Sequence, residues 1–251
     1  MNSAYHHRVA VPGELGGVTS SGLLSTSRHQ QSDGYPALIV PLGSTEQHGP
    51  HLPLDTDTRI ASAVARAAAA RLGGGWLLAP ALSYGASGEH EGFAGTVSIG
   101  TEALRLLLVE FGRSACIWAS RLVFVNGHGG NVEALAGAVG LLRAEGRDVS
   151  WSSCMVPGAD AHAGHTETSV LLHISPEAVH TENVVAGNSA PLSELMPAMR
   201  AGGVAAVSAV GVLGDPTTAT AVEGERYFAD MVDGCARKIL AWTPNGHGML
   251  T

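Results

Sequence analysis

The sequence predicts an α/β fold, a mostly parallel sheet with helices packed over it. Two observations carry this expectation. Short, strongly apolar runs alternate with longer amphipathic ones, the pattern of repeated strand–helix units. The apolar runs also lack polar alternation, so each strand should be buried on both faces. At 251 residues, 45% hydrophobic and 14% charged, the chain can bury a full core without disulfides.

The N-terminal stretch "MNSAYHHRVAVPGELGG" has no apolar core after a basic start and predicts no secretory signal. His6-His7 reads as solvated tail or as a weak surface metal binder. Residues 13–35, rich in Gly, Ser and Thr, read as a loop or loosely packed arm. Strands are expected at 37–42 ("ALIVPL"), 76–82 ("WLLAPAL"), 121–127 ("RLVFVNG") and 148–156 ("DVSWSSCMV"). Helices are expected at 57–72, 102–119 and 131–145, where Ala-rich, apolar-periodic sequence favours them, and again at 191–201 and 220–241. The segment "GGVAAVSAVGVLGDPTTAT" between the last two could hold a strand and a functional loop. No linker interrupts the chain, so one domain spanning 1–251 is expected.

Composition excludes several classes of partner. A formal net charge of −8 offers no basic patch to nucleic acid or anionic lipid. No apolar run is long enough to span a membrane. Cys116, Cys154 and Cys235 are odd in number and form no CxxC pair, which points to free thiols in a reducing cytoplasm.

The chemistry-bearing residues gather where strands end. "GSTEQHGPHLPLDTD" (43–57) follows the most apolar strand and holds Glu46, His48, His51, Asp55 and Asp57. Glu46 and His48, two apart, point to one side of an extended backbone. Asp57 sits near a helix start, where the dipole favours a carboxylate. Either aspartate alone reads equally as a helix cap. The combination of carboxylate and imidazole suits zinc, iron or manganese.

"VNGHGGNVEAL" (125–135) repeats the arrangement with His128 after a strand and a helix beginning near Asn131; Glu133 reads as helix surface. No lysine accompanies its glycines, so a Walker-type phosphate loop fails. "DAHAGHTETSVLLH" (160–173) brings His162, His165 and Glu167 to the mouth of a fourth strand. The long loop "SYGASGEHEGFAGTVSIG" (83–100) offers Ser87 and His90 as substrate contacts, with Glu89 and Glu91 reading equally as solvated. Three strand ends delivering histidines and acids to one edge of a sheet is how such a fold would assemble a polynuclear metal centre.

Together with "GVLGDPTTAT", these motifs resemble the creatininase family of metal-dependent amidohydrolases, in order and over most of the chain. The resemblance implies a three-layer α/β/α sandwich, a homo-oligomer (a hexamer on the family pattern) and two adjacent divalent metals, zinc, iron or manganese. By matching positions, Glu46, Asp57 and His128 would hold one metal, and His48 with a bridging Asp57 the other. Creatinine-hydrolysing members carry a liganding glutamate two positions after the strand-end histidine, where this chain has Gly130. Members with "NGHGGN" instead use the glutamate of the later motif, here Glu167, which speaks against creatinine as substrate.

"SGEHEGFAGTVSIG" with "DAHAGHTETSVLLHISPE" is similar to family members that trim a modified precursor peptide, removing a C-terminal Val-Tyr dipeptide during redox-cofactor biosynthesis. That resemblance implies a peptidase in which a hydroxide shared by two cations attacks the amide. His162 would be the acid for the leaving amine, with His165 in reserve, and Glu167 would also serve the reaction; His162 reads alternatively as a residue that orients a ligand. Neither Ser nor Cys sits in a GxSxG context, which disfavours a covalent route. The competing readings are a cyclic amidohydrolase or deformylase of the same family and a non-catalytic metal-binding scaffold.

Overall fold

The structure, a computed structural model, describes residues 13–23 and 36–251. His6-His7 and most of the expected N-terminal arm lie outside the described residues. Five parallel strands form one sheet: β1 (Gly13–Glu14), β2 (Ala37–Leu42), β3 (Trp76–Leu78), β4 (Arg121–Asn126) and β5 (Val149–Ser153), in the order β1-β3-β2-β4-β5. From Thr56 onwards the α-helices are α1 (Thr56–Leu72), α2 (Thr101–Ala115), α3 (Val132–Ala144), α4 (His165–Ile174), α5 (Leu192–Gly202) and α6 (Ala221–Ala241).

Period-two alternation divides each central strand between two cores. Leu38, Val40 and Leu42 of β2 and Leu122 and Phe124 of β4 pack against α2 and α3. Ile39, Val123 and Val125 point the other way, onto α1, α4 and α6. The result is the expected α/β/α sandwich. Helix α6 is N-capped by Thr220, whose hydroxyl accepts from the Glu223 amide and donates to the Glu223 carboxylate.

The strand order positions the site. From β2 the chain steps to β3 on one side, then returns to β4 on the other. At such a reversal the loops leaving neighbouring strands part and open a crevice beyond their carboxyl ends. Here the neighbours are β2 and β4, so "GSTEQHGPHLPLDTD" and "GHGGN" face one another. Helix α1 closes the bottom of the crevice, and only glycines let it approach. A Cβ on Gly43 would lie 2.4 Å from the Thr58 amide nitrogen, and one on Gly127 would lie 2.5 Å from the Asp57 carbonyl oxygen.

Several expectations need correction. The third strand ends at Leu78, because Pro80 has no N–H to donate; pairing returns only as a bridge between Leu42 and Leu82. The strand expected to Val156 ends at Ser153, where its partner β4 has run out at Asn126. The α2 helix stops at Ala115 and unwinds through short turn bonds at Ile117 and Trp118 before Ser120 reaches the sheet. Residues 203–219 hold two 3-10 turns and a single bridge from Leu213 to His162, with no strand. Gly13–Glu14, expected in a loop, pairs with β3.

Gly127→Ala should push α1 off the strand ends. A fall in the urea midpoint worth about 1–3 kcal/mol is expected for this overpacking. An unchanged midpoint would show that α1 does not rest on Gly127.

Candidate metal centre

Nine polar residues from four chain segments converge beyond β2 and β4. Glu46, His48 and Asp57 come from the first motif, His128 from the second, His162 and Glu167 from the third, and Ser87, Glu89 and His90 from the long loop. Glu46 is fully buried, with its Oε2 3.2 Å from His128 Nε2 and its Oε1 3.3 Å from His90 Nε2 and 3.7 Å from His162 Nδ1. Asp57 lies between two imidazoles, 3.2 Å from His48 Nε2 and 3.2 Å from His128 Nδ1, and accepts a 2.8 Å hydrogen bond from Ser44 Oγ. Glu167 accepts the Ala163 amide at 2.6 Å and stands 3.9 Å from His48 Nε2.

Burial and charge then compete at each group. Burial raises the Glu46 carboxyl to about 7, against the opposing pull of His128. Glu167 rises to about 7 for the same reason, its side chain only 22% exposed. Burial would raise Asp57 too, but His48 and His128 outweigh it and hold its carboxyl well below the usual range. Burial lowers His48 and His128, yet the surrounding carboxylates carry them up to about 10 and about 9. At His90 and His162 burial and the neighbouring imidazoles outweigh the pull of Asp57, so His90 falls to about 3 and His162 well below its usual range.

These residues fit a divalent cation. Both oxygens of Glu46 are buried and accept no hydrogen bond. A carboxylate stripped of water without donors is costly, and a bound cation is what relieves it. Donor atoms of Glu46–His48–Asp57, of His48–His162–Glu167 and of Glu46–His90–His162 each lie within 4.8 Å of one another. His128 belongs to none of these triplets but bridges Glu46 and Asp57. The oxygen and nitrogen donors suit zinc, iron or manganese.

All five expected ligands and both expected substrate contacts therefore lie together. Ser87 is buried with its Oγ 3.5 Å from His128 Nε2, and Glu89 Oε1 lies 3.6 Å from the same nitrogen. His165, the reserve acid, is a correction: it faces Thr218 (2.8 Å) and Glu223 (3.5 Å). Two residues before Glu167 on α4, it leaves the helix on nearly the opposite side. Asp55 occupies the N-cap position of α1, but its side chain caps nothing and pairs with Arg59 instead. His51 stays buried against Thr168, outside the cluster. Glu133 is exposed, as expected.

Three contributors escaped sequence reasoning. Ser44 holds Asp57, and Gln47 reaches two of the histidines. Asn131 ties the segments together, donating to the Gly43 carbonyl and Asn126 Oδ1 and accepting from the Ala86 amide. Their position inside the motifs was the only available signal.

The chain matches the profile of the creatininase family, described as creatinine amidohydrolase, over residues 25–239. It is 68% identical to the mycofactocin precursor peptide peptidase of Mycobacterium ulcerans, with 100% of each chain covered. The peptidase of the same name from Mycolicibacterium smegmatis is 66% identical, again over 100% of both chains. Among solved structures, a manganese form of creatininase superposes with a TM-score of 0.75 at 27% identity, covering 93% of this chain and 100% of that one.

Raised imidazole pKa values stabilise the metal-free fold below about pH 6.5 and cease to do so as pH rises through those of His128 and His48, about 9 and about 10. A cation competes with the same protons, so zinc affinity measured by calorimetry should tighten on the order of tenfold or more between pH 6.5 and 8.5. A pH-independent affinity would contradict this. In Glu46→Gln, zinc should no longer raise the melting temperature, while the metal-free variant should be at least as stable as the parent, because a buried charge is gone. Undiminished stabilisation by zinc would remove Glu46 from the ligand set.

Proposed function

The chain belongs to the creatininase family, and on that premise we propose that it is a metal-dependent peptidase of mycofactocin biosynthesis, removing a C-terminal Val-Tyr dipeptide from a modified precursor peptide. The observation that carries the reading is the 68% identity to a mycofactocin precursor peptide peptidase across the whole of both chains. The cluster of buried carboxylates and imidazoles supplies the matching chemistry.

Two divalent cations held by Glu46, His48, Asp57, His128 and Glu167 would polarise the scissile carbonyl and acidify water at neutral pH. The protein's own part is to bind, orient and move a proton. Glu46 and Asp57 bring negative charge to a pocket that excludes bulk water, and Ser44 fixes the Asp57 carboxylate. Ser87 and His90, buried side chains contributed by the long loop, orient the amide. His162 Nδ1 takes up and releases the proton that the leaving amine needs. Glu167, partly exposed at the mouth, sits where it can both hold charge and meet that amine. The same proposal includes assembly as a homo-oligomer in the cytoplasm. None of the described helices is long and apolar enough to cross a membrane.

Specific residues weigh against the family's other reactions. Residues 83–100 contain no Arg or Lys to receive a nucleotide phosphate, as a deformylase of phosphorylated substrates would need. At Gly130, where creatininases carry their glutamate, even a Cβ would lie 2.2 Å from the Ala86 carbonyl oxygen.

Incubating the zinc- or manganese-loaded protein with a modified precursor ending in Val-Tyr should release the free dipeptide, detected by mass spectrometry. Intact precursor alongside turnover of a small cyclic amide would reverse the assignment. No turnover of either would favour a scaffold.

A further inference from the structure

Gln47 lies between two expected ligands and is buried to 5% exposure. Its amide orientation is fixed from both sides. Oε1 accepts the Gly49 N–H at 2.8 Å, and Nε2 donates to the Gly211 carbonyl at 3.0 Å. A backbone N–H cannot accept and a carbonyl cannot donate, so the amide cannot be flipped. One amide hydrogen remains, and two imidazole nitrogens lie in reach: His90 Nδ1 at 2.8 Å and His162 Nε2 at 3.1 Å.

A second contact decides between them. His162 Nε2 lies 2.8 Å from the backbone carbonyl oxygen of Gln47. That oxygen only accepts, so His162 Nε2 must carry a hydrogen of its own and cannot receive the amide's. The amide hydrogen therefore goes to His90 Nδ1, which must be bare. A neutral imidazole has one N–H. His90, with Nδ1 bare, therefore carries its hydrogen on Nε2, and His162 Nδ1, 3.7 Å from Glu46 Oε1 and donating no hydrogen bond to it, is the bare nitrogen of its ring. The rings lie side by side, 4.3 Å between centroids, and these two remaining nitrogens both face Glu46 Oε1.

We propose that Gln47 is a positioning residue that, with its side-chain amide and its own backbone carbonyl, holds His90 and His162 in opposite tautomers. The centre is thereby presented with an N–H donor from one ring and a bare nitrogen from the other. His90 is then no metal ligand through Nε2, and a His162 Nδ1 that carries the proton is none either, which sets aside both triplets containing His162 and leaves Glu46–His48–Asp57, with His128 and Glu167 beside it. In the hydrolysis, and resting on the peptidase reading, the His90 N–H meets the scissile carbonyl oxygen. His162 Nδ1 accepts a proton from the attacking water as the C–O bond forms and returns it to the departing nitrogen as the C–N bond breaks.

The test is long-range proton–nitrogen correlation NMR of the full-length, zinc-loaded protein with 15N-labelled histidine. The expected pattern is His90 protonated on Nε2 alone and His162 with its hydrogen on Nε2 and none on Nδ1. In Gln47→Leu, the His90 signals should move towards a tautomeric mixture while those of His162 hold, since its partner is backbone. The variant should lose about 10–100-fold in kcat with a smaller change in KM. A parent spectrum with His90 protonated on Nδ1, or a Gln47→Leu spectrum with the His90 pattern unmoved, would overturn the proposal. The expected spectrum in a protein that cleaves no precursor would uphold the tautomers and sink only the peptidase reading.

Discussion

The structure depends on how it accommodates negative charge out of water. Glu46 is fully buried and receives no hydrogen bond, and Asp57 is nearly as deep beside it. An uncompensated carboxylate in such a place costs several kcal/mol, a large share of the net stability of a domain. Four imidazoles surround the pair, yet at distances and angles that leave Glu46 unsatisfied. Bound cations, as proposed, would complete it. Metal binding and folding would then draw on the same residues, and the site's chemistry would follow from that unmet need.

The fold makes the deficit possible. A parallel sheet with a reversal of strand order between β2 and β4 parts two loops at one edge. Glycines at 43 and 127 bring the first turn of α1 against both strand ends, delivering Asp57 between His48 and His128. Asn131 then cross-links the two loops and the long 83–100 loop with three buried hydrogen bonds. Histidines recruited from different segments need this rigid frame, since a displacement of about 1 Å is enough to spoil coordination or proton transfer.

Much of this was legible in the sequence. The β2 strand, the strand-end position of His128 and the run of helices followed from periodicity and composition, because buried strands and Ala-rich helices write their environment into local sequence. Glu46, His48, Asp57, His128, His162 and Glu167 were found because strand ends are where such folds put chemistry. What could not be read was orientation. His165 and Glu167 differ by two positions, and only the helix that carries them shows that one faces the centre and the other faces α6. The break of β3 at Pro80 was visible in principle, since proline cannot donate to a ladder. Gln47 and Asn131 were hidden for another reason: an amide has no distinctive spacing, and its role is set by partners far away in the chain.

The central claim is that these residues clasp cations in place of the protons that His48 and His128 otherwise hold. Diffraction from crystals of the zinc-loaded protein, with data collected on either side of the zinc absorption edge, tests it most directly. The account predicts two anomalous peaks within coordinating reach of Glu46, His48, Asp57, His128 and Glu167. Peaks found only elsewhere on the molecule, with that pocket free of anomalous density, would contradict it.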